Sequence, residues 1–257
     1  MIDLERRFVE DCKVLDISPL GKYFEVILES KYISKYIKPG QFVNVLVKNV
    51  FFRRPFTLFN KDKNSFSILV KVVGRGTEEI SNMKSGQFLN VLGPLGNSIF
   101  DFDLHHSESI DLVAGGVGIA NMISVAKLFK TSNRKVRLFW GVKTKAEYFE
   151  KDFEYFDEIN VSSEDGSIGE KGFVTEILAK RYTGNKIYSC GPIQMIKSIS
   201  ALSGLIPLSN VVCSLESVMG CGIGVCYGCS IGSPQSGYKL VCKDGPNFLL
   251  SEIKDFI

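Results

Sequence analysis

The sequence predicts a β-barrel followed by an α/β domain: a small antiparallel barrel, a parallel-sheet domain, and a short cysteine-bearing C-terminal domain. Three observations carry this. Residues 1–100 hold six short stretches rich in β-branched and aromatic residues, separated by turn signals. From about residue 109, apolar strands alternate with helical stretches, the pattern of a parallel sheet with covered faces. Four of the seven cysteines then fall within residues 218–242. The boundaries read as 1–100, 101–212 and 213–257.

In the first part, strands are expected at 8–17, 23–30, 41–50, 54–60, 65–73 and 87–93. Pro39-Gly40 and Ser85-Gly86 each precede a Gln-Phe strand start, as turn punctuation should. Strands at this spacing favour a small antiparallel barrel or a sandwich. Arg54-Pro55-Phe56-Thr57 sets a guanidinium, a planar ring and a hydroxyl on one strand, where alternation puts Arg54 and Phe56 on one face and Thr57 on the other unless a bend intervenes. Residues 72–77 end a strand in glycines and lead into a short helix whose free N–H groups suit phosphate. Taken singly, both are ordinary strand ends.

In the second part, strands at 110–116, 136–142, 159–166 and 186–191 alternate with helices at 119–130, 174–182 and 192–200. A further strand at 211–214 carries Cys213, read as core packing. Gly115, Gly116 and Gly118 stand where the first strand feeds a helix, a turn that lets a pyrophosphate approach backbone N–H groups. The full G-x-G-x-x-G pattern is absent, so a plain tight connection reads equally well. His105 and His106 fall in a polar connection and read as surface residues rather than acid–base catalysts.

Cys221, Cys226 and Cys229 have C-x4-C-x2-C spacing, with Cys242 beyond a gap of twelve residues. This is the plant-type [2Fe-2S] arrangement. A structural zinc is the first alternative, although zinc ribbons present two short knuckles and Cys242 stands alone. Disulfides are the second, opposed by the odd cysteine count and the charged, unsignal-like start. Residues 230–241 read as a hairpin that brings Cys242 back to the loop.

With 31 basic and 28 acidic residues, the chain has no nucleic-acid footprint, and no apolar run reaches the roughly 18 residues of a membrane span. A soluble, cytoplasmic protein is expected.

RPFT, GRGT (74–77), GPLGNSI (93–99), GGVG (115–118) and CGP (190–192) occur in the order of the ferredoxin-NADP reductase superfamily. Within it, VMGCGIGVCYGC and VCKDGPNF resemble the electron-transfer subunits of NAD-dependent, type B dihydroorotate dehydrogenases, and the resemblance spans essentially the whole chain. It implies an oxidoreductase subunit of pyrimidine biosynthesis with an FAD-binding barrel, a nicotinamide-binding domain and a [2Fe-2S] domain. Arg54, Pro55, Phe56 and Thr57 would contact FAD, with Thr57 near the flavin N5; Leu69, Val70 and Lys71 would contact its adenine dinucleotide; Gly76 and Thr77 would meet its pyrophosphate. Gly115, Gly116 and Gly118 would form the NAD turn, with Cys190, Gly191 and Pro192 beside the nicotinamide; Thr57 and Cys190 would border the reacting atoms. Cys221, Cys226, Cys229 and Cys242 would hold the cluster.

Two positions depart from the family pattern: Asn121 stands where proline is common, and Lys143 where an arginine closes Y-G-x-R. The resemblance also implies a partner, an FMN-containing catalytic subunit that oxidises dihydroorotate, assembled two and two. Electrons would pass from that FMN through the cluster and FAD to NAD+. The chemistry is consistent on its own terms, since nicotinamide exchanges a hydride, a cluster one electron, and a flavin interconverts the two. Glu164 and Asp165 favour NAD over NADP because they would repel a 2′-phosphate; a solvated acidic loop is the plain alternative. Two other functions remain open: a related reductase subunit of a hydrogenase, sulfide dehydrogenase or ferredoxin:NADP oxidoreductase, whose last kind tends to have Asp at the first cluster position, and a zinc-stabilised interaction module.

Overall fold

The computed structural model describes residues 7–48, 50–102, 108–233, 235 and 237–257; His105 and His106 lie outside these. Six strands, β1 (Phe8–Leu20), β2 (Tyr23–Glu29), β3 (Phe42–Leu46), β4 (Arg54–Lys61), β5 (Ser65–Lys71) and β6 (Phe88–Leu95), close a barrel in the order β1-β2-β5-β4-β3-β6. Closure depends on β1. Its first half, from Phe8 to Lys13, pairs with β6, and its second half, beyond a register shift near Val14, pairs with β2. One strand thus bends from one sheet into the next, which closes a barrel rather than a sandwich. Alternate residues, among them Val14, Val26, Val43, Ile68 and Val91, fill the interior.

Helices α1 (Ile33–Tyr36) and α2 (Arg75–Ser81) cover barrel loops. The half of β4 from Arg54 to Thr57 pairs with β3 alone, because β5 joins β4 only from Leu58 onward. Pro55, which has no N–H to donate, suits this free edge.

The second sheet contains β7 (Ser109–Gly115), β8 (Lys135–Val142), β9 (Glu158–Ser163), β10 (Glu170–Lys171), β11 (Lys186–Cys190) and β12 (Val211–Ser214), all parallel. Helices α3 (Ile119–Thr131), α4 (Val174–Arg181) and α5 (Ile193–Ala201) provide the crossovers. With the C-terminal strand β15 (Asn247–Leu249) at one edge, the order β10-β9-β8-β7-β11-β12-β15 places β7 in the middle. The chain runs outward to one side and then returns to the other, so the crevice at the C-terminal ends of β7 and β11 is the topological switch point.

The chain leaves this sheet at Ser214, forms the hairpin β13 (Ser230–Ser233) and β14 (Gly237–Leu240), and returns as β15 (Asn247–Leu249), antiparallel to β12, before α6 (Leu250–Ile253). The C-terminal segment therefore has both ends in the second sheet. Its residues Met219, Cys229 and Val241 share one core with Phe42 and Leu95 of the barrel and Val113 of β7. Barrel residues Tyr23, Phe59 and Leu69 share another with Trp140 and α3. These mixed cores hold the three parts in one arrangement, which is what places their loops together. No described helix is long and apolar enough to cross a membrane.

Candidate functional site

The four motif cysteines converge, and all seven cysteines of the chain are free thiols. Cys229 and Cys242 are buried with their sulfurs 3.2 Å apart, Cys221 is half-buried, and Cys226 is exposed. The loop is wound so that its amides point inward. The N–H groups of Ile223, Val225 and Cys226 donate to Cys221 Sγ (3.5, 3.3 and 3.4 Å), Gly224 to Cys242 Sγ (3.1 Å), Gly228 to Cys226 Sγ (3.5 Å) and Cys242 to Cys229 Sγ (3.4 Å).

That winding requires left-handed backbone at Gly222 (φ +71°) and Gly224 (φ +83°). Gly222 also packs directly on the Asn44 amide of β3, whose two polar atoms are buried without partners, so the loop is seated on the barrel. Burial opposes ionisation of Cys221, but the surrounding N–H donors outweigh it and bring its thiol down to about 6. Six amides aimed at thiolates fit an anionic iron–sulfur cluster. Among the described residues, no three His, Cys, Asp or Glu side chains are grouped to hold a single metal ion. The buried Cys229–Cys242 pair and the outer Cys221 and Cys226 present themselves as two pairs, the division a two-iron centre uses.

Beside the loop lies a cavity of about 740 Å³. Arg54, Pro55, Phe56 and Thr57 all line it, together with Leu69, Lys71 and Thr77. The alternation expected for Arg54, Phe56 and Thr57 does not separate them, because the cavity runs along the unpaired edge of β4 and receives both faces. Val70 points the other way, into the barrel core. Gly76 packs against the Arg54 side chain (3.5 Å from a Cβ built there), and Thr77 Oγ1 is tied into its own turn, accepting from Val73 N (2.9 Å) and donating to Gly74 O (2.9 Å). The far walls are Gly118 and Cys190 at one end and Phe52, Val218 and Met219, next to the cysteine loop, at the other. Length, an apolar planar lining and the cations Arg54 and Lys71 fit a flavin dinucleotide.

A second cavity of about 440 Å³ opens over the switch point, lined by Gly115, Gly116, Pro192, Lys143 and Glu164 among others. Beside it the glycine turn after β7 and the end of β11 are in close contact. A Cβ on Gly118 would lie 2.1 Å from Cys190 O, and one on Gly191 would lie 2.9 Å from Gly115 Cα. Asp165, by contrast, folds back on its own loop, accepting from the N–H and hydroxyl of Ser167 (3.0 and 2.6 Å). The predicted acidic pair therefore divides, with Glu164 alone reaching the cavity.

The two cavities share Lys71, Val117 and Glu216. Lys71 Nζ is 2.7 Å from Glu147 Oε1, and Glu147 Oε2 accepts from Lys143 N (3.1 Å), so this carboxylate ties barrel to nucleotide domain. Burial works against the Glu147 charge, but these donors win and lower its pKa.

Sequence reasoning missed Glu216 and Phe173. Glu216 is an exposed residue on the wall that the two cavities share, and the surrounding protein raises its pKa by desolvation. Phe173, at the start of α4, is 61% exposed at the mouth of the second cavity. No motif marks either residue. An aromatic directly after a glycine, opposite an acidic strand end, was the one available hint for Phe173.

Residues 216–254 match the family described as the iron-sulfur cluster binding domain of dihydroorotate dehydrogenase B, and residues 112–201 match the oxidoreductase NAD-binding domain. The dihydroorotate dehydrogenase B (NAD(+)) electron transfer subunit of Fusobacterium nucleatum is 34% identical over 96% of this chain and 98% of its own length. The chain belongs to this family. The corresponding subunit of Geobacillus sp. (strain WCH70) is 35% identical over 95% and 98%. Among solved structures, that of an NADH-dependent reduced ferredoxin-NADP oxidoreductase is 29% identical with a TM-score of 0.82, covering 96% of this chain and 93% of the other. Phthalate dioxygenase reductase, at 17% identity, shares the fold with a TM-score of 0.65 over 87% and 86% of the two chains. As a member of the family, the chain is an oxidoreductase component with an iron–sulfur domain and an NAD-binding domain.

Proposed function

We propose that the chain is the FAD-, [2Fe-2S]- and NAD-binding subunit that serves an FMN-containing, dihydroorotate-oxidising partner in pyrimidine biosynthesis and delivers its electrons to NAD+. The assembly is a cytoplasmic heterotetramer with two copies of each subunit. One observation carries the reading. The flavin-shaped cavity touches the cysteine loop at one end and the nucleotide turn at the other, and it shares Lys71, Val117 and Glu216 with the nucleotide cavity.

When bound, the flavin exchanges two electrons with nicotinamide and one at a time with the cluster. The chain's own residues orient the reactants. Pro55 and Phe56 would hold the flavin, Thr57 would lie on its N5 side, Leu69 would contact its adenine dinucleotide, and Arg54 and Lys71 would supply positive charge to its phosphates, with Gly76 and Thr77 at the pyrophosphate. Gly115, Gly116 and Gly118 admit the NAD pyrophosphate, and Cys190, Gly191 and Pro192 border the nicotinamide. Burial pushes the Cys190 thiol up to about 12, so it stays neutral and polarisable beside the ring. Cys221, Cys226, Cys229 and Cys242 are the cluster ligands.

A spectrum of purified protein tests the whole reading. Iron-dependent absorbance beneath a flavin spectrum, both bleached by NADH, is expected, as is co-purification with the FMN subunit. Zinc without iron, or no flavin, would sink it. In this reading Phe173 is the platform for adenine at the outer end of the nucleotide cavity. Phe173→Ala is expected to weaken NADH binding about tenfold, the size of one lost aromatic–base stack, and to leave reduced nicotinamide mononucleotide, which lacks adenine, unaffected. Glu164 bonds the adenosine ribose, so NADH is expected to reduce the flavin far faster than NADPH; a preference for NADPH would refute that assignment.

The partner's docking face surrounds the exposed Cys226. Val218, Val225 and Tyr227 are 79%, 71% and 64% exposed, and Phe52 of the barrel packs on Gly220 of the same loop. Val225→Glu or Tyr227→Glu is expected to slow electron delivery from the partner while NADH still reduces FAD at the normal rate. Equal loss of both rates would rule this face out.

A further inference from the structure

The segment 146–152, between β8 and β9, is strapped to the barrel through Glu147, Phe149 and Lys151. Glu147 Oε1 accepts from Lys71 Nζ at the end of β5 (2.7 Å), and Glu147 Oε2 accepts from Lys143 N just past β8 (3.1 Å). Phe149 sits edge-on among Tyr23 and Phe59 of the barrel and Trp140 of β8, with ring centroids 6.0, 6.5 and 5.2 Å away. Lys151 pairs with the buried Glu25 of β2. Trp140 in turn donates its Nε1–H to Gly116 O of the nucleotide turn (3.0 Å). One short segment thus gauges the barrel against that turn.

Glu147 is the part of the strap that meets both the barrel and a cavity wall. It is 3% exposed and lines the nucleotide cavity, while Lys71, its partner, lines both cavities. A carboxylate on the wall of a cavity for an anionic dinucleotide repels the phosphates that the cavity receives. Nucleotide binding therefore does not account for it. What Glu147 does is hold an ammonium of the barrel against the nucleotide domain, where the two cavities meet.

We propose that Glu147 is a positioning residue for electron exchange between the two dinucleotides: by holding Lys71 at the junction it sets barrel and nucleotide domain at their working separation, while its own charge weakens nucleotide binding. The proposal rests on the reading that FAD and NAD occupy the two cavities. It carries a sign that a packing role or a binding role does not. Loss of the charge improves affinity and slows transfer.

The test is stopped-flow reduction of the full, FAD- and cluster-loaded protein over a range of NADH concentrations, which separates the limiting rate from NADH affinity. Glu147→Gln keeps the shape and removes the charge. NADH is expected to bind about threefold more tightly, the size of one nearby charge in partly screened surroundings. Flavin reduction at saturation is expected to be about tenfold slower, as a misplacement of less than about an ångström allows.

Glu147→Asp keeps the charge but draws it back from Lys71. It is expected to slow reduction by a similar factor with NADH affinity unchanged, and it carries the test should the glutamine variant lose FAD. Unchanged limiting rates in these variants, or NADH binding in Glu147→Gln that is no tighter than in the wild type, would overturn the proposal. A wild-type protein whose FAD is not reduced by NADH would instead overturn the reading on which it rests.

Discussion

Serine at Cys226 or at Cys229 is expected to strip the iron from the protein while FAD remains bound and reducible by NADH. A cysteine ligand binds as the soft, anionic thiolate, and a serine hydroxyl at neutral pH is neither anionic nor soft. The cysteine loop and the flavin cavity meet only at the Phe52, Val218 and Met219 wall, whereas the predicted flavin contacts lie on β4, β5 and α2. Removing a ligand therefore leaves the flavin site whole.

The two variants are expected to differ in stability. Cys226 is exposed, so Cys226→Ser leaves the fold almost unchanged. Cys229 is buried in the core shared with Leu240, Val241 and Phe248, and an unsatisfied hydroxyl there costs about 1–3 kcal/mol. Iron analysis, the flavin-to-protein ratio and thermal unfolding of each variant check this. Loss of FAD together with iron in Cys226→Ser would show that cluster and flavin sites do not form independently.

The strands and helices of the barrel and the α/β domain were legible because each carries its own signal. Alternation placed β2 and β5 to within a residue or two, and the apolar run from Ile110 led into a glycine turn where β7 ends. What stayed hidden depends on chain segments far apart in sequence. Asn247–Leu249 is too short to show a period, and it becomes a strand only because the edge of β12 is open to it. Its neighbour Cys213 is buried on β12 and donates to Phe248 O (3.6 Å), consistent with a packing role. That one cavity receives Arg54, Phe56 and Thr57 together was not legible, because β5 joins β4 only from Leu58, a property of pairing that no local pattern encodes.

The site shows the same division. The cysteine spacing announced its chemistry, since four soft ligands within 22 residues leave few alternatives. The nucleotide contacts did not. Lys71 reads as a cation on a strand end, and nothing local shows that Glu147, 76 residues away, pairs with it at the wall of the cavity. Glu216 precedes the cysteine motif without any pattern of its own, and only the crevice between β7 and β11 makes it a wall of two cavities.

Alanine at Gly118 is expected to abolish most NADH-dependent flavin reduction, more than alanine at Gly116 does, although both glycines stand in one turn. The two residues are constrained differently. Gly116 sits at φ +53° with no atom nearer than 3.9 Å to a built Cβ, so its substitution costs backbone strain of about 1–2 kcal/mol and little else. Gly118 has ordinary helical backbone, φ −57°, and no strain to relieve. Its constraint is contact: a Cβ there would lie 2.1 Å from Cys190 O, 2.7 Å from Cys190 C and 3.2 Å from Gly191 N. All three are backbone atoms at the end of β11, so no side-chain rotation relieves the clash. The end of β11 must move outward by about an ångström, carrying Cys190 and Pro192 away from the place proposed for the nicotinamide. Displacements of that size cost about 100-fold in rate, and overpacking of this kind destabilises by about 1–3 kcal/mol. Stopped-flow reduction of the FAD-loaded variants by NADH separates the two effects. Wild-type reduction in Gly118→Ala would show that β11 is not held where the turn and the strand end are drawn together.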